Sequence, residues 1–182
     1  MTGFSKALER NLNEVLMALY EFTVLKRLEE SFPAVVNDEK FFGIAHDAVF
    51  NDMIAHSMKL FDKHRDSASL WYIYSCKRLE VEAPWKDTNH IDKLEEISKS
   101  LKHVRDKTHF HIDKKGVTDT KSIWREANIK PELLGECLSI AYEMLKHIFK
   151  LEREFDFPWK PDTYTGEEIP DYIRTLKDQS YL

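Results

Sequence analysis

The sequence predicts an all-α protein, a bundle of four to five main helices. Apolar residues recur at spacings of three and four in several long segments, which is the pattern of an amphipathic helix, and no run alternates as a strand does. A chain of 182 residues has the natural length of one domain with its own core. We expect that domain to span residues 1–157, and residues 158–182 to form an irregular C-terminal tail.

Two helices are expected in the first third of the chain. Residues 4–32 should form the first, and Pro33 should stop it. Asn37 or Asp38 is placed to cap a second helix that runs to about Arg65. The apolar stripe of the first helix contains Leu8, Leu12, Val15, Leu19 and Phe22.

His46 and His56 lie on the apolar stripe of the second helix, a position that would allow metal binding. Isolated histidines on such a face are more often core or rim residues. We therefore expect these two side chains to hydrogen-bond to backbone groups rather than to bind a metal.

The middle of the chain predicts a short helix and then a longer one. Ser67 or Ser69 should cap the short helix, which runs to about Leu79, and residues 81–90 have the composition of a loop. The longer helix should begin near His90. Its apolar stripe contains Leu94, Ile97, Leu101, Val104 and Thr108.

The last main helix should begin at Pro131, because proline is well suited to the first turn of a helix. A short helical turn is expected before it around Trp124, and a short helix from Glu167 or Asp171 to Lys177 is expected in the tail. The last main helix has the most regular apolar repeat in the chain: Leu134, Cys137, Ala141, Met144, Ile148, Leu151 and Phe155.

Composition excludes several classes of protein. No GxGxxG or GxxxxGK[ST] loop is present, so a dinucleotide or P-loop enzyme is not expected. No apolar run is long enough to span a membrane. Cys76 and Cys137 form no Cys-x-x-Cys pair, which indicates free, buried thiols in a reducing compartment, and we expect a cytoplasmic protein.

Charge is unevenly distributed along the chain. The net charge is −5, which does not favour nucleic acid overall, but residues 99–125 contain eight Lys or Arg residues against three acids. A local basic patch can attract phosphate even on an acidic protein, although on a helical protein such a run is more often a solvated face.

The stretch RDKTHFHID, residues 105–113, concentrates the most usable chemistry. Arg105 offers a permanent cation suited to phosphate, and the imidazoles of His109 and His111 exchange protons near neutral pH. When the 2′-hydroxyl of RNA attacks the adjacent phosphate, one group must take the proton of that hydroxyl and another must protonate the leaving 5′-oxygen. A cation must also stabilise the phosphorane, and no metal is needed. Asp106 could orient the reacting groups.

This stretch resembles the signature of the HEPN superfamily, in which an arginine and a polar residue precede a histidine. The matching residues are Arg105, Asp106 and His111. With Lys107 and Asp113, the sequence of this stretch is most similar to that of the abortive-infection U-type branch. Looser support comes from the end of the second predicted helix, which reads KLFDKHRDSASL.

The resemblance implies a homodimer in which two motif copies face each other across a cleft. It implies an endoribonuclease that needs no metal or other cofactor and leaves 2′,3′-cyclic phosphate ends. Arg105 would stabilise the scissile phosphate, His111 would be the general acid/base and Asp106 would support them. Such proteins act in phage defence or as toxins paired with an antitoxin protein. We expect Lys102, Lys114 and Lys115 to contact RNA.

Three alternatives stay open. On an ideal helix Arg105 and His111 point about 120° apart, whereas His109 shares the face of Arg105, so His109 is a second candidate for the catalytic histidine. His109 and His111, with Asp113 or His103, could instead bind zinc. The domain could also be a non-catalytic scaffold that binds RNA or protein, with Arg105 in a structural ion pair.

Overall fold

The computed structural model describes residues 3–31, 40–85, 88–109 and 120–179. In these ranges the chain is helical, without strands, so the all-α prediction is confirmed. The eight α-helices are α1 (Gly3–Ser31), α2 (Lys40–Leu60), α3 (Leu70–Cys76), α4 (Arg78–Glu82), α5 (His90–Val104), α6 (Thr120–Ala127), α7 (Pro131–Arg153) and α8 (Glu168–Gln179). Three shorter turns complete the list: 3₁₀ turns at Ala83–Trp85 and Pro161–Thr163, and a π-helical turn at Arg105–His109.

The core lies between the four longest helices, and α1 is at its centre. Helix α1 packs against both α2 and α7, while α5 packs against α7. The predicted stripes of α1 and α5 face this core: Leu8, Leu12, Val15, Leu94, Ile97, Leu101 and Val104 are almost completely buried. Burial of each such side chain stabilises the fold by about 1.5–3 kcal/mol.

Two element boundaries differ from the predictions. Helix α2 ends at Leu60, five residues before Arg65. The expected third helix is divided at Lys77, whose φ of −128° and ψ of 37° interrupt the helical backbone. Ser69 does precede α3, but its hydroxyl makes no cap bond to that helix and donates to the carbonyl of Asp62 instead. The predicted caps Asn37 and Asp38, and Pro33, lie outside the described residues.

The predicted stripe of α7 is correct for most of its length and wrong at its end. Cys137, Ala141 and Ile148 are buried, but Leu151 is 53% exposed and Phe155 is 57% exposed. Phe155 is exposed because α7 ends at Arg153 and Glu154 adopts a left-handed conformation with φ of 62°. Phe155 therefore leaves the helical register.

The segment after residue 157 packs against the helices. The hydroxyl of Tyr142 donates to the carbonyl of Trp159 at 2.8 Å, and that of Tyr20 donates to the carbonyl of Lys160 at 3.0 Å. In α8, Ile173 is only 2% exposed. The short tail helix that was predicted is present as α8 and extends two residues beyond Lys177.

The two histidines of α2 differ from the expectation of backbone bonding. His46 lies near the carboxylates of Glu29 and Asp47, and Nδ1 of His56 lies 2.6 Å from Glu14. Both imidazoles therefore contact acidic side chains. Within the described ranges, no helix combines the length and the apolar character needed to cross a bilayer.

The two thiols are in different environments, so the expectation of two buried cysteines is wrong for one of them. Cys137 is completely buried, and this burial raises the pKa of its thiol to about 12. Cys76 lies at the end of α3 and is exposed.

We expect a thiol reagent such as DTNB to react quickly with one thiol per chain at pH 8, because only an accessible thiolate is a good nucleophile. Guanidinium chloride should release the second thiol, and Cys76→Ser should abolish the fast reaction. Two fast thiols in the native protein would contradict the packing of α7.

Candidate functional site

The candidate site begins where α5 changes its helical winding. The backbone N–H of Arg105 donates to the carbonyls of Leu101 and Lys102, and a π-helical turn then covers Arg105–His109. The Thr108 hydroxyl donates to the carbonyl of Val104 at 2.7 Å, a type of side-chain bond that often bends helices. Single π-helical turns are rare and occur frequently at functional sites.

Two carboxylates hold the guanidinium of Arg105. Its Nη1 donates to Oδ1 of Asp62 at 2.6 Å, and its Nε donates to Oδ1 of Asp106 at 3.0 Å. Nη2 also lies 3.0 Å from that Asp106 oxygen. The Arg105 side chain is 21% exposed, so the guanidinium is fixed in direction but retains access to solvent.

The charges around Arg105 settle the protonation of Asp106. Burial raises the pKa of Asp106, but hydrogen bonds from Lys102 and Arg105 outweigh it and hold the pKa below its usual value. Lys102 Nζ lies 3.2 Å from Asp106 Oδ2. Asp106 is therefore ionised at neutral pH. It can orient a cation or accept a hydrogen bond, but it has no proton to give to a leaving oxygen.

The pKa of Arg105 is raised by the same pair of acids. Burial acts to lower it, and the hydrogen bonds and negative charges of Asp62 and Asp106 more than compensate. A guanidinium is protonated at every physiological pH in any case. The consequence is electrostatic: the site contains a cation whose charge is already balanced by two anions.

Asp62 is held by the connection that follows α2. Its Oδ1 also accepts the backbone N–H of His64 at 3.1 Å, and its carbonyl accepts the Ser69 hydroxyl at 2.5 Å. From α1, the buried Asn11 amide donates to the carbonyl of Ala68 at 2.7 Å. This connection is thus tied to α1 at one end and to Arg105 at the other.

Asp62 is the site residue that sequence reasoning missed. It is separated from Arg105 by 43 residues, and no spacing rule links two residues so far apart. The sequence does contain one indication of its role. Asp62 is a carboxylate directly after an amphipathic helix, inside the KLFDKHRDSASL segment that gives looser support to the HEPN resemblance.

A small recess with a basic border lies beside Arg105. Its volume is about 50 Å³, enough for a few water molecules or a phosphate-sized group but not for a nucleotide. One wall of the recess is apolar. On its border, Nζ of Lys63 lies 4.0 Å from the centroid of the Trp71 ring and donates to Oε1 of Glu95 at 3.0 Å. The recess is lined by Met58, Phe61, Asp62, Lys63, Ser98, Lys99, Leu101, Lys102 and Arg105.

The other predicted site residues are distributed as follows. Lys102 is exposed beside Asp106, Lys107 is half-buried in the π-helical turn, and His109 closes that turn. His103 of α5 has its Nε2 3.5 Å from Glu126 of α6. The positions of His111, Asp113, Lys114 and Lys115 lie outside the described residues.

Comparison with known proteins adds no relative: no family model, no curated protein and no solved structure matches this chain. The resemblance to the HEPN superfamily therefore stays a prediction from the RDKTHFHID stretch.

We expect the Arg105–Asp62 pair to contribute more to stability than a surface ion pair. Both side chains are about four-fifths buried, at 21% and 22% exposure, so solvent screens them less. A double-mutant cycle of Arg105→Ala and Asp62→Ala, measured by urea unfolding, should give a coupling of about 1–3 kcal/mol.

The exposed pair Lys63–Glu95 provides the matched control, with side chains 38% and 43% exposed. Its coupling should be no more than about 1 kcal/mol, as for other surface pairs. Equal couplings for the two pairs would mean that Asp62 does not hold Arg105 in solution.

Proposed function

We propose that the protein is a metal-independent endoribonuclease of the HEPN type. The observation that carries this proposal is the placement of Arg105: a guanidinium fixed by Asp62 and Asp106 at a basic recess, on a π-helical turn that ends at His109. In the sequence His111 follows two residues later. The helical fold is consistent with the proposal, and the motif supplies the residue types that the chemistry requires.

Phosphate recognition would fall to the cations at the recess. Lys63, Lys99 and Lys102 border it together with Arg105, and Asp62 is the one carboxylate among the lining residues. A phosphodiester oxygen would approach the exposed edge of the guanidinium and accept hydrogen bonds that strengthen as charge develops on the phosphorane. Lys114 and Lys115 would extend the RNA contact along the chain.

Proton transfer would fall to His111. It would remove the proton of the 2′-hydroxyl or protonate the 5′-oxygen as that oxygen leaves, so that the 2′-oxygen forms its bond to phosphorus while the bond to the 5′-oxygen breaks. The products would be a 2′,3′-cyclic phosphate and a 5′-hydroxyl. Because Asp106 is ionised, its role would be to hold Arg105, and His109 is the second candidate for the acid/base.

The functional form in this proposal is a homodimer with two motif copies across one cleft. The second copy would place His111 of one protomer near Arg105 of the other, which removes the 120° separation expected on one helix. Such an enzyme would act in the cytoplasm, in phage defence or as a toxin restrained by an antitoxin protein. Lys107 and Asp113 are the residues of the motif that resemble the abortive-infection U-type branch.

A second candidate function is a non-catalytic RNA-binding or protein-interaction scaffold. One observation favours it: Arg105 is already paired with two carboxylates, so an incoming phosphate would have to compete with Asp62 and Asp106. In a scaffold the ion pairs would be structural, and the histidines would contribute to binding at most. A zinc site at His109 and His111 remains a third alternative.

We expect the purified protein to cleave end-labelled single-stranded RNA in excess EDTA and to leave 2′,3′-cyclic phosphate ends. His111→Ala should reduce the cleavage rate by about 10²–10⁴, the usual contribution of a general acid or base. Arg105→Lys should reduce it strongly as well, because lysine keeps the charge but cannot offer a planar, bidentate fork.

The matched control is Arg65→Lys, since Arg65 is an exposed arginine on the connection after α2, and its rate should equal that of the unmodified protein. Circular dichroism in EDTA verifies that each variant is folded. Folded protein that binds RNA without cutting it would select the scaffold. Cleavage that requires added metal, although the protein is folded in EDTA, and that is lost in His109→Ala would select the zinc site at His109 and His111.

A further inference from the structure

Between α1 and α2 lies a cluster of side chains that the proposed ribonuclease does not use. Glu21 of α1 and Asp52 and His56 of α2 each present one potential ligand atom, and these three atoms lie within 4.8 Å of one another. His56 Nε2 is 3.8 Å from Glu21 Oε1 and 3.8 Å from Asp52 Oδ1. In the described part of the chain no other group of three such side chains comes together in this way.

The orientation of His56 is fixed from behind by Glu14. Glu14 Oε2 lies 2.6 Å from His56 Nδ1 and 3.4 Å from the Lys59 ammonium, so this carboxylate is placed to accept from both. His56 Nδ1 therefore donates to Glu14, and Nε2, on the other side of the ring, faces Glu21 and Asp52 at 3.8 Å from each.

This arrangement is the one found around metal-binding histidines. Such a histidine almost always donates its second ring N–H to a carboxylate, which fixes the tautomer and raises the basicity of the ligand nitrogen. Here Glu14 is that carboxylate, and it lies outside the three candidate ligands. The sequence alone suggested only that His46 and His56 share a helix face, without any partner.

The Glu21 carboxylate is the most enclosed of the three candidate ligands. Its side chain is 12% exposed, and its Oε2 is buried without a hydrogen-bond partner. A buried carboxylate needs a proton or a positive charge beside it, and a metal ion held between Glu21, Asp52 and His56 would supply that charge.

We propose that Glu21, Asp52 and His56 bind a divalent first-row transition-metal ion of the Zn²⁺ type, with Glu14 as the carboxylate behind His56. One imidazole and two carboxylates are ligands that such ions accept, and water would complete the coordination. The two distances of 3.8 Å from His56 Nε2 need to close by less than 1 Å, because ligand atoms about 2.1 Å from a metal are about 3.0–3.4 Å apart.

The metal would have a structural role. It would join α1 to α2 and so stabilise the helix whose C-terminal end leads to Asp62. This inference does not rest on the proposed ribonuclease activity, because the cluster consists of residues outside the RDKTHFHID stretch.

The test is Zn²⁺ and Co²⁺ binding to the full-length protein after treatment with EDTA and removal of the chelator. We expect one Zn²⁺ per chain by calorimetry, a rise in Tm and a Co²⁺ absorption band from the bound ion. Asp52→Asn should weaken binding at least tenfold and leave the fold intact, because Asp52 is 64% exposed. Glu14→Gln should weaken binding about 10–100-fold, the usual effect of losing the residue behind a ligand.

His46→Gln is the matched control for His56→Gln. His46 is also on α2 and also lies near a carboxylate of α1, Glu29, at 3.4 Å, but it is not part of the three-ligand group. Loss of binding in His56→Gln with full binding in His46→Gln supports the site. The proposal is overturned if the unmodified protein shows no Zn²⁺ binding, or if Asp52→Asn binds as tightly as the unmodified protein; the cluster is then an ion-pair network only.

Discussion

The pairing of Arg105 with Asp62 is the contact on which the candidate site depends. It joins the end of α5 to the connection after α2, and it fixes the guanidinium at 2.6 Å from a carboxylate that also accepts the backbone N–H of His64. The backbone carbonyl of Asp62 in turn accepts the Ser69 hydroxyl. Without it, only Asp106, the next residue in the chain, would hold the guanidinium. With it, the cation has one direction, at the border of a recess with three lysines.

Helix α2 connects the two unusual polar clusters of the molecule. The face of α2 that meets α1 contributes Asp52 and His56, whereas Met58 near its C-terminal end and Asp62 just after it border the recess beside Arg105. Both clusters place partly buried charges between helices, where desolvation is costly unless the charges are paired. The two proposals differ in the ligand: an RNA phosphate would compete with Asp62 and Asp106 for Arg105, whereas a metal ion would add a positive charge beside Glu21.

The sequence was informative where a local rule applies. Apolar spacing predicted α1, α5 and α7 closely, because a buried stripe must repeat every three or four residues. It was less informative where tertiary contacts decide. Ser69 is the N-cap residue of α3, as predicted, but its hydroxyl bonds the carbonyl of Asp62 and not the helix, and Phe155 leaves the register of α7 after the left-handed Glu154. Asp62 and Glu14 could not be assigned partners, since the pairs they form bridge separate helices.

The most direct test of the account is to mix two inactive variants, Arg105→Lys and His111→Ala, carrying different affinity tags, and to assay RNA cleavage by the purified mixed dimer. One of its two sites would contain both unmodified residues, so the account predicts recovery of about half the activity of the unmodified dimer. A mixed dimer as inactive as either parent, beside an active unmodified protein, would contradict a shared site across the two protomers.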